Sequence, residues 1–300
     1  MPRFYYLFFR LYGDPMALSF LERRSNDSEM TFIDHLEELR GHIIRSVLAI
    51  LVAAIIIFLK IDWVFDNIVM GPVRNNFVSY RYMCGLSHWL HIGNALCMPP
   101  IPAGYKLLGN TVSGPFMSAI QIGIIGGFIF AFPYIFWEFW KFVRPALSPK
   151  ELKYSRNAIF FVSIFFFLGA FFGYFVLGPF TFNFLANFNL GTANMYEYKP
   201  ALDDYIDNLV NIILGCGIAF ELPILAYVLT KIGLITPAFL TNYRKYAYVV
   251  ILVVAAVITP SPDWTSQMIV FLPLLFLYEL SVIVSKRVYK RDQEEQDNWQ

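Results

Sequence analysis

Charge is scarce in this chain. Of its 300 residues only 15% are Asp, Glu, Lys or Arg, while 57% are hydrophobic and 18% aromatic. That balance leaves too little polar surface to keep a folded body of this size in water, so lipid is the expected solvent. Neither charge sign is in surplus: the formal net charge is +1, which offers no basic excess for holding nucleic acid. Motifs of energy-driven or metal-dependent enzymes are missing as well. There is no G-x-x-x-x-G-K-[ST] loop and no H-E-x-x-H, and His35, His42, His88 and His91 fall outside the apolar runs or at their ends. No enzyme, cofactor or metal is expected.

A cleavable leader is also absent from the expectation. The apolar run Phe4 to Phe9 is short, Arg10 interrupts it, and no small-residue cleavage site follows. The pair Arg23-Arg24 is followed by the polar stretch Ser25 to Glu29 and reads as part of a solvated tail.

What is present is a series of long apolar runs. A helix needs about 20 mostly apolar residues to cross the hydrocarbon core, and residues 41–61, 116–137, 157–180 and 209–232 each supply them. Two further runs, 246–260 and 267–284, are shorter. At about 1.5 Å per residue the first of these falls several Å short of a ~30 Å core. Six transmembrane helices follow, an all-α polytopic membrane protein. With both termini in the cytoplasm, 18 of the 23 Lys and Arg residues lie inside, and the positive-inside rule therefore fixes the orientation. On this topology residues 1–30 form a cytoplasmic extension, 31–287 the membrane domain and 288–300 a cytoplasmic tail. Cys84 and Cys97 share an outer hydrophilic loop, where a disulfide can persist; bonded and free thiols are equal alternatives at this point. Cys216, alone in an apolar run, reads as a small core residue.

The segment before the first run opens with Thr31-Phe32-Ile33-Asp34, a capping-box pattern, and sets Phe32, Leu36, Leu39 and Ile43 on one helical stripe. Its polar side carries Glu37, Glu38 and Arg40. By spacing alone these form a self-satisfied surface, with Glu37 and Arg40 paired at i,i+3.

The string His35-Leu36-Glu37-Glu38-Leu39-Arg40 resembles the start of the TatC family, the multispanning core subunits of the twin-arginine protein translocase. Further matches follow in order: Gly71-Pro72; Trp140-Lys141-Phe142-Val143-Arg144-Pro145-Ala146-Leu147 with Glu151; Phe220-Glu221-Leu222-Pro223; and Thr259-Pro260-Ser261-Pro262-Asp263 leading to Ser266-Gln267. The resemblance covers about residues 31–287. Two features depart from the family pattern, a longer loop from Pro72 to Gly114 and an added tail before Thr31.

The resemblance implies a concave, glove-like arrangement of six helices in the cell inner membrane, and a ligand peptide with two adjacent arginines before an apolar run. A guanidinium is a planar fork that pairs bidentately with a carboxylate. Neighbouring side chains of an extended peptide point to opposite sides, so two arginines are best met by carboxylates from separate elements. Glu38 and Glu151 are the expected pair, with Arg40 in support and Phe142 on the receiving surface. The plain readings stand beside these: Glu151 neutralises Lys150, Lys153 and Arg156, and Trp140 with Phe142 forms an interfacial aromatic belt.

Glu221, within the fourth run, would cost about 2.5–3.5 kcal/mol if ionised at mid-membrane. With Pro223 two residues on, it reads as a polar notch at a kink or as a protonated, hydrogen-bonded side chain. Glu279 poses the same question. Thr259 and Gln267 fall where the family meets its single-span partner subunits of the TatA/TatB type, and Pro72 and Asp263 are read as shaping the outer loops. The resemblance further implies self-association in a receptor complex and export of folded proteins driven by the proton gradient. The competing function is a proton-coupled small-molecule transporter working through Glu221; the absence of an inverted internal repeat and of several intramembrane polar groups speaks against it.

Overall fold

The computed structural model describes residues 32–89, 91, 93–94, 96–102, 104–143, 149–188, 199–260 and 264–297, except the side chains of 32–35, 149–158, 292 and 295–297. The chain divides into two units, Met1–Ile44 and Arg45–Gln300. Among the described residues every regular element is helical, apart from one isolated backbone bridge between Leu108 and Ala201.

Helix α1 (Phe32–Phe58) is followed by the short α2 (Ile61–Val64), a widened turn at Phe65–Val69 and a tight turn at Gly71–Val73. The outer-loop helix α3 (Val78–Trp89) precedes α4 (Gly114–Val143). Next, α5 (Pro149–Phe172) widens through Gly173–Leu177 and continues as α6 (Gly178–Asn187). The rest of the chain forms α7 (Leu202–Ala219), α8 (Leu222–Lys231), α9 (Pro237–Asn242), α10 (Arg244–Ile258) and α11 (Trp264–Asp297).

Among the described residues, five stretches are long and apolar enough to cross a membrane: Leu36–Phe58, Gly114–Val143, Ile159–Asn187, Leu202–Lys231 and Trp264–Arg291. They match five of the six expected runs, with polar flanks joining several of the helices. The remaining run is α10, whose 15 residues make a helix of only about 22 Å. The last helix differs from expectation: the apolar run is short, but the helix is 34 residues long. Lys286, Arg287, Lys290, Arg291, Gln293 and Glu294 are good helix formers, so the helix continues where its apolar run stops.

Lipid as solvent accounts for the surface. Val47, Leu48, Leu51, Val52, Ile55 and Ile56 on α1 are all exposed, which in water would be a large penalty and in hydrocarbon is none. Helix contacts then rest on close backbone approach, because lipid tails are as apolar as the side chains. Gly123 and Gly127 of α4 lie against α1, where a Cβ at Gly127 would sit 2.8 Å from both the Ala54 nitrogen and the Ile50 oxygen. Gly169 and Gly173 repeat the pattern between α5 and α7, with a Cβ at Gly169 meeting the Cys216 carbonyl oxygen and standing 2.9 Å from the Gly217 Cα. Both pairs have the small-xxx-small spacing of membrane helix interfaces. The core beside them contains Leu177, Ile206, Ile212, Cys216, Val270, Leu274 and Val282. Where α8 meets α11, buried Thr230 and Ser285 share a hydrogen bond of 2.8 Å.

Candidate functional site

Glu38 lies on the amphipathic first turns of α1, with its side chain 37% exposed. Its described ion-pair contact is with His42, 3.9 Å away at i,i+4, whereas Arg40 was the expected support. The helical period decides this: residues two apart point to opposite sides, and residues four apart share a face. Glu37 and Arg40 are exposed. Phe142 is half-buried in the last turn of α4. Glu151 falls in the first turn of α5; its side chain lies outside the described residues, as does all of Asp263.

An unexpected ion cluster joins α1 to α4. Glu138 is 1% exposed, its Oε2 accepts from Arg45 Nη1 at 3.0 Å, and its Oε1 accepts from Lys141 Nζ at 2.9 Å. The Lys141 ammonium also lies 3.8 Å from the centre of the Trp137 ring. A carboxylate buried this deeply needs its partners. The signal for it was in the sequence, as an acid in an apolar run, but ending that run at 137 left Glu138 outside.

Glu221 is buried at the break between α7 and α8, and among the described residues its Oε1 has no hydrogen-bond partner. The break is where Pro223 was expected to make one. Phe220 and Glu221 are the turn residues, and Pro223 sits in the first turn of α8, where a missing N–H costs nothing. Glu221 stands about two-thirds of the way along Leu202–Lys231 rather than near its middle, because the helix begins seven residues before the apolar run. Glu279 is different: it accepts from Arg244 Nη2 at 2.8 Å and from the Tyr248 hydroxyl at 2.6 Å, tying α10 to α11.

The loop around α3 is held by contacts of its own. Cys84 and Cys97 are disulfide-bonded, so the nearby His88 completes no metal site there, since both sulfurs are used. Ser87 donates to the Gly93 oxygen at 2.6 Å, and Asn75 pairs with the Ile101 backbone in both directions. Asn183 reaches from α6 to donate to the Pro99 oxygen at 2.7 Å and the Tyr80 hydroxyl at 3.3 Å. Tyr80 in turn donates to the oxygen of buried Pro72. Burial pushes the Tyr80 hydroxyl above its ordinary pKa of about 10, with the Asn183 hydrogen bond opposing, so it remains a donor. Tyr205 donates to the Val69 oxygen at 2.6 Å. Thr259 is buried and donates back to the Ala255 oxygen at 2.9 Å, while Gln267 is half-buried near the start of α11.

The loop makes one prediction immediate. The disulfide spans 13 residues, so reduction, or Cys84→Ser, is expected to cost about 3 kcal/mol by loop-closure entropy. It should be read as a lower unfolding midpoint and faster proteolysis within 78–104.

Taken together these features define an all-helical, polytopic membrane protein, with acidic groups at one helix head and inside a broken span. The model of the family "Sec-independent protein translocase protein (TatC)" matches residues 34–273, and the chain belongs to the TatC family. It is 40% identical over 270 residues to the TatC protein of Blattabacterium sp. subsp. Periplaneta americana, covering 89% of this chain and 99% of that one. To the TatC protein of Carboxydothermus hydrogenoformans it is 34% identical over 266 residues, covering 89% and 97%. A crystal structure described as the twin arginine translocase receptor TatC superposes with a TM-score of 0.63 at 32% identity, covering 85% of this chain and 99% of that one. The protein is thus a component of a Sec-independent protein translocase.

Proposed function

We propose that this protein is the signal-peptide receptor of a twin-arginine translocase in the cell inner membrane. In this reading six helices span the bilayer with both termini in the cytoplasm, α10 being the short fifth. Glu38, from the head of α1, and Glu151, from the head of α5, each take one guanidinium of the incoming peptide, and Phe142 lines the surface that receives it. The observation that carries the reading is the state of Glu38: a half-exposed carboxylate whose described partner, His42, lies at 3.9 Å. Such a weak contact is readily exchanged for a bidentate, charge-assisted one.

Glu221 supplies a polar notch at the α7–α8 break, which thins the bilayer locally or receives a partner helix. The Thr259–Gln267 region meets the single-span partner subunits, and the receptor associates with further copies of itself. Export of folded cargo is driven by the proton gradient.

Binding of a twin-arginine signal peptide to the purified protein tests this. Glu38→Gln and Glu151→Gln are each expected to weaken it about 10- to 100-fold, the worth of one charge-assisted hydrogen bond of about 1.5–3 kcal/mol. A Lys-Lys peptide should bind the intact protein less well. Unchanged affinity in both variants would remove the assignment.

A further inference from the structure

A groove of about 470 Å³ runs along the outer side of the α1–α4 pair. Leu48, Ala49, Val52, Ala53 and Ile56 of α1 form one wall and Phe130 of α4 the other, and among the described lining residues Arg45 carries the only charge. The groove exists because glycines 123, 126 and 127 draw α4 tightly onto α1, and because positions 49 and 53 are alanines between the larger Leu48, Val52 and Ile56.

Arg45 stands at one end of the groove with its side chain 53% exposed, fixed there by its 3.0 Å contact with Glu138. Lys141, 37% exposed, holds the second oxygen of the same carboxylate at 2.9 Å. The shared carboxylate thus brings two cations together beside the end of the groove that Arg45 lines. From Arg45 to Ile56 the groove follows α1 for 11 residues, about 16 Å along the helix axis. That matches one leaflet, about half of a ~30 Å hydrocarbon core.

We propose that the groove is a binding site for one anionic glycerophospholipid, with an acyl chain laid between α1 and α4 and the phosphate on Arg45 and Lys141. The apolar length of one leaflet, ended by paired cations at the interface, fits a lipid rather than a helix. A transmembrane helix would cross both leaflets and would have to place an acid at the lip. Glu138 is the positioning residue: it aims the guanidinium at the lip instead of leaving a long side chain to wander. The site is independent of the signal-peptide assignment.

The test uses the full-length protein in detergent, supplied with equal amounts of phosphatidylglycerol and phosphatidylcholine and examined by native mass spectrometry. Retention of phosphatidylglycerol at least tenfold over phosphatidylcholine is expected. Arg45→Gln should reduce that preference at least fivefold, and Ala53→Phe, which fills the groove without touching the ion cluster, should abolish retention of both. In membranes, a benzophenone side chain at position 53 should crosslink to lipid. Equal retention of the two lipids, retention unaffected by Ala53→Phe, or crosslinking from position 53 to a single-span protein or a second copy would each overturn the proposal.

Discussion

Replacing Arg45 and Lys141 together by alanine is expected to destabilise the protein by about 3–5 kcal/mol, the usual cost of breaking a buried ion pair. Glu138 is 1% exposed and both of its described ion pairs go to these two side chains. Either single substitution should cost far less. The remaining cation still answers the carboxylate, and each cation is itself partly solvated and worth little in isolation. Adding Glu138→Leu to the double variant should restore most of the loss, because removing all three charges leaves an apolar contact of similar volume in place of a buried carboxylate that has lost both cations. Unfolding midpoints of the detergent-purified variants measure the series. A double variant no less stable than either single one would mean that the carboxylate is not held by these partners.

The second large effect lies in the α5–α7 contact. Gly169→Leu should prevent the two helices from closing, with a cost at or above the roughly 1–3 kcal/mol of ordinary overpacking. The reason is what a side chain meets there. At Gly169 even a Cβ runs into the Cys216 carbonyl oxygen and comes within 2.9 Å of the Gly217 Cα, and backbone atoms in a packed helix do not yield as a side chain does. Gly85 of α3, where a Cβ meets nothing within 4 Å, is the control. Gly85→Ala should be neutral or stabilising by up to about 1 kcal/mol, since alanine loses less freedom in a helix. Yield of folded protein and unfolding midpoint distinguish the two. Equal effects would remove close backbone approach as the basis of this interface.

These two contacts also mark what was and was not legible in the sequence. The long spans follow directly from apolar runs of sufficient length, and the α7–α8 break follows from Pro223. Helix ends were less legible. Leu202 to Asn208 and Lys286 to Glu294 are polar enough to fall outside an apolar run, yet both stretches are helical: the second is rich in helix formers, and the first opens a helix whose first turn carries Asp203 and Asp204, acids favoured at a helix N-terminus. The glycine pairs at 123/127 and 169/173 have the spacing of a close helix contact, but nothing local says which helix each will meet. Helix α3 was invisible for another reason. Val78 to Trp89 mixes Ser, Tyr, Arg and Cys without a clear apolar stripe, and its surroundings are fixed by the disulfide and by Asn75 and Asn183, whose partners are distant in sequence.

The candidate site divides in the same way. Glu38, Glu151, Arg40, Phe142, Thr259 and Gln267 are candidates through family resemblance, whereas Glu221 stands out on its own as an acid within an apolar run. The contact of Glu38 with His42 was readable from the helical period. Glu279 needed the fold, because its partners Arg244 and Tyr248 lie more than thirty residues away. Glu138 had the plainest signal of all, an acid beside an apolar run, but its partner Arg45 lies on a different helix, 93 residues away in sequence.

The most direct measurement is a double-mutant cycle between the receptor and its peptide. Affinities are taken for intact protein, Glu38→Gln and Glu151→Gln, each against a peptide with both arginines and against peptides with either arginine replaced by glutamine. If each carboxylate grips one guanidinium, each glutamate couples to a different arginine by about 1.5–3 kcal/mol and is additive with the other. Both glutamates coupling to the same arginine, or neither coupling to any, would contradict the account.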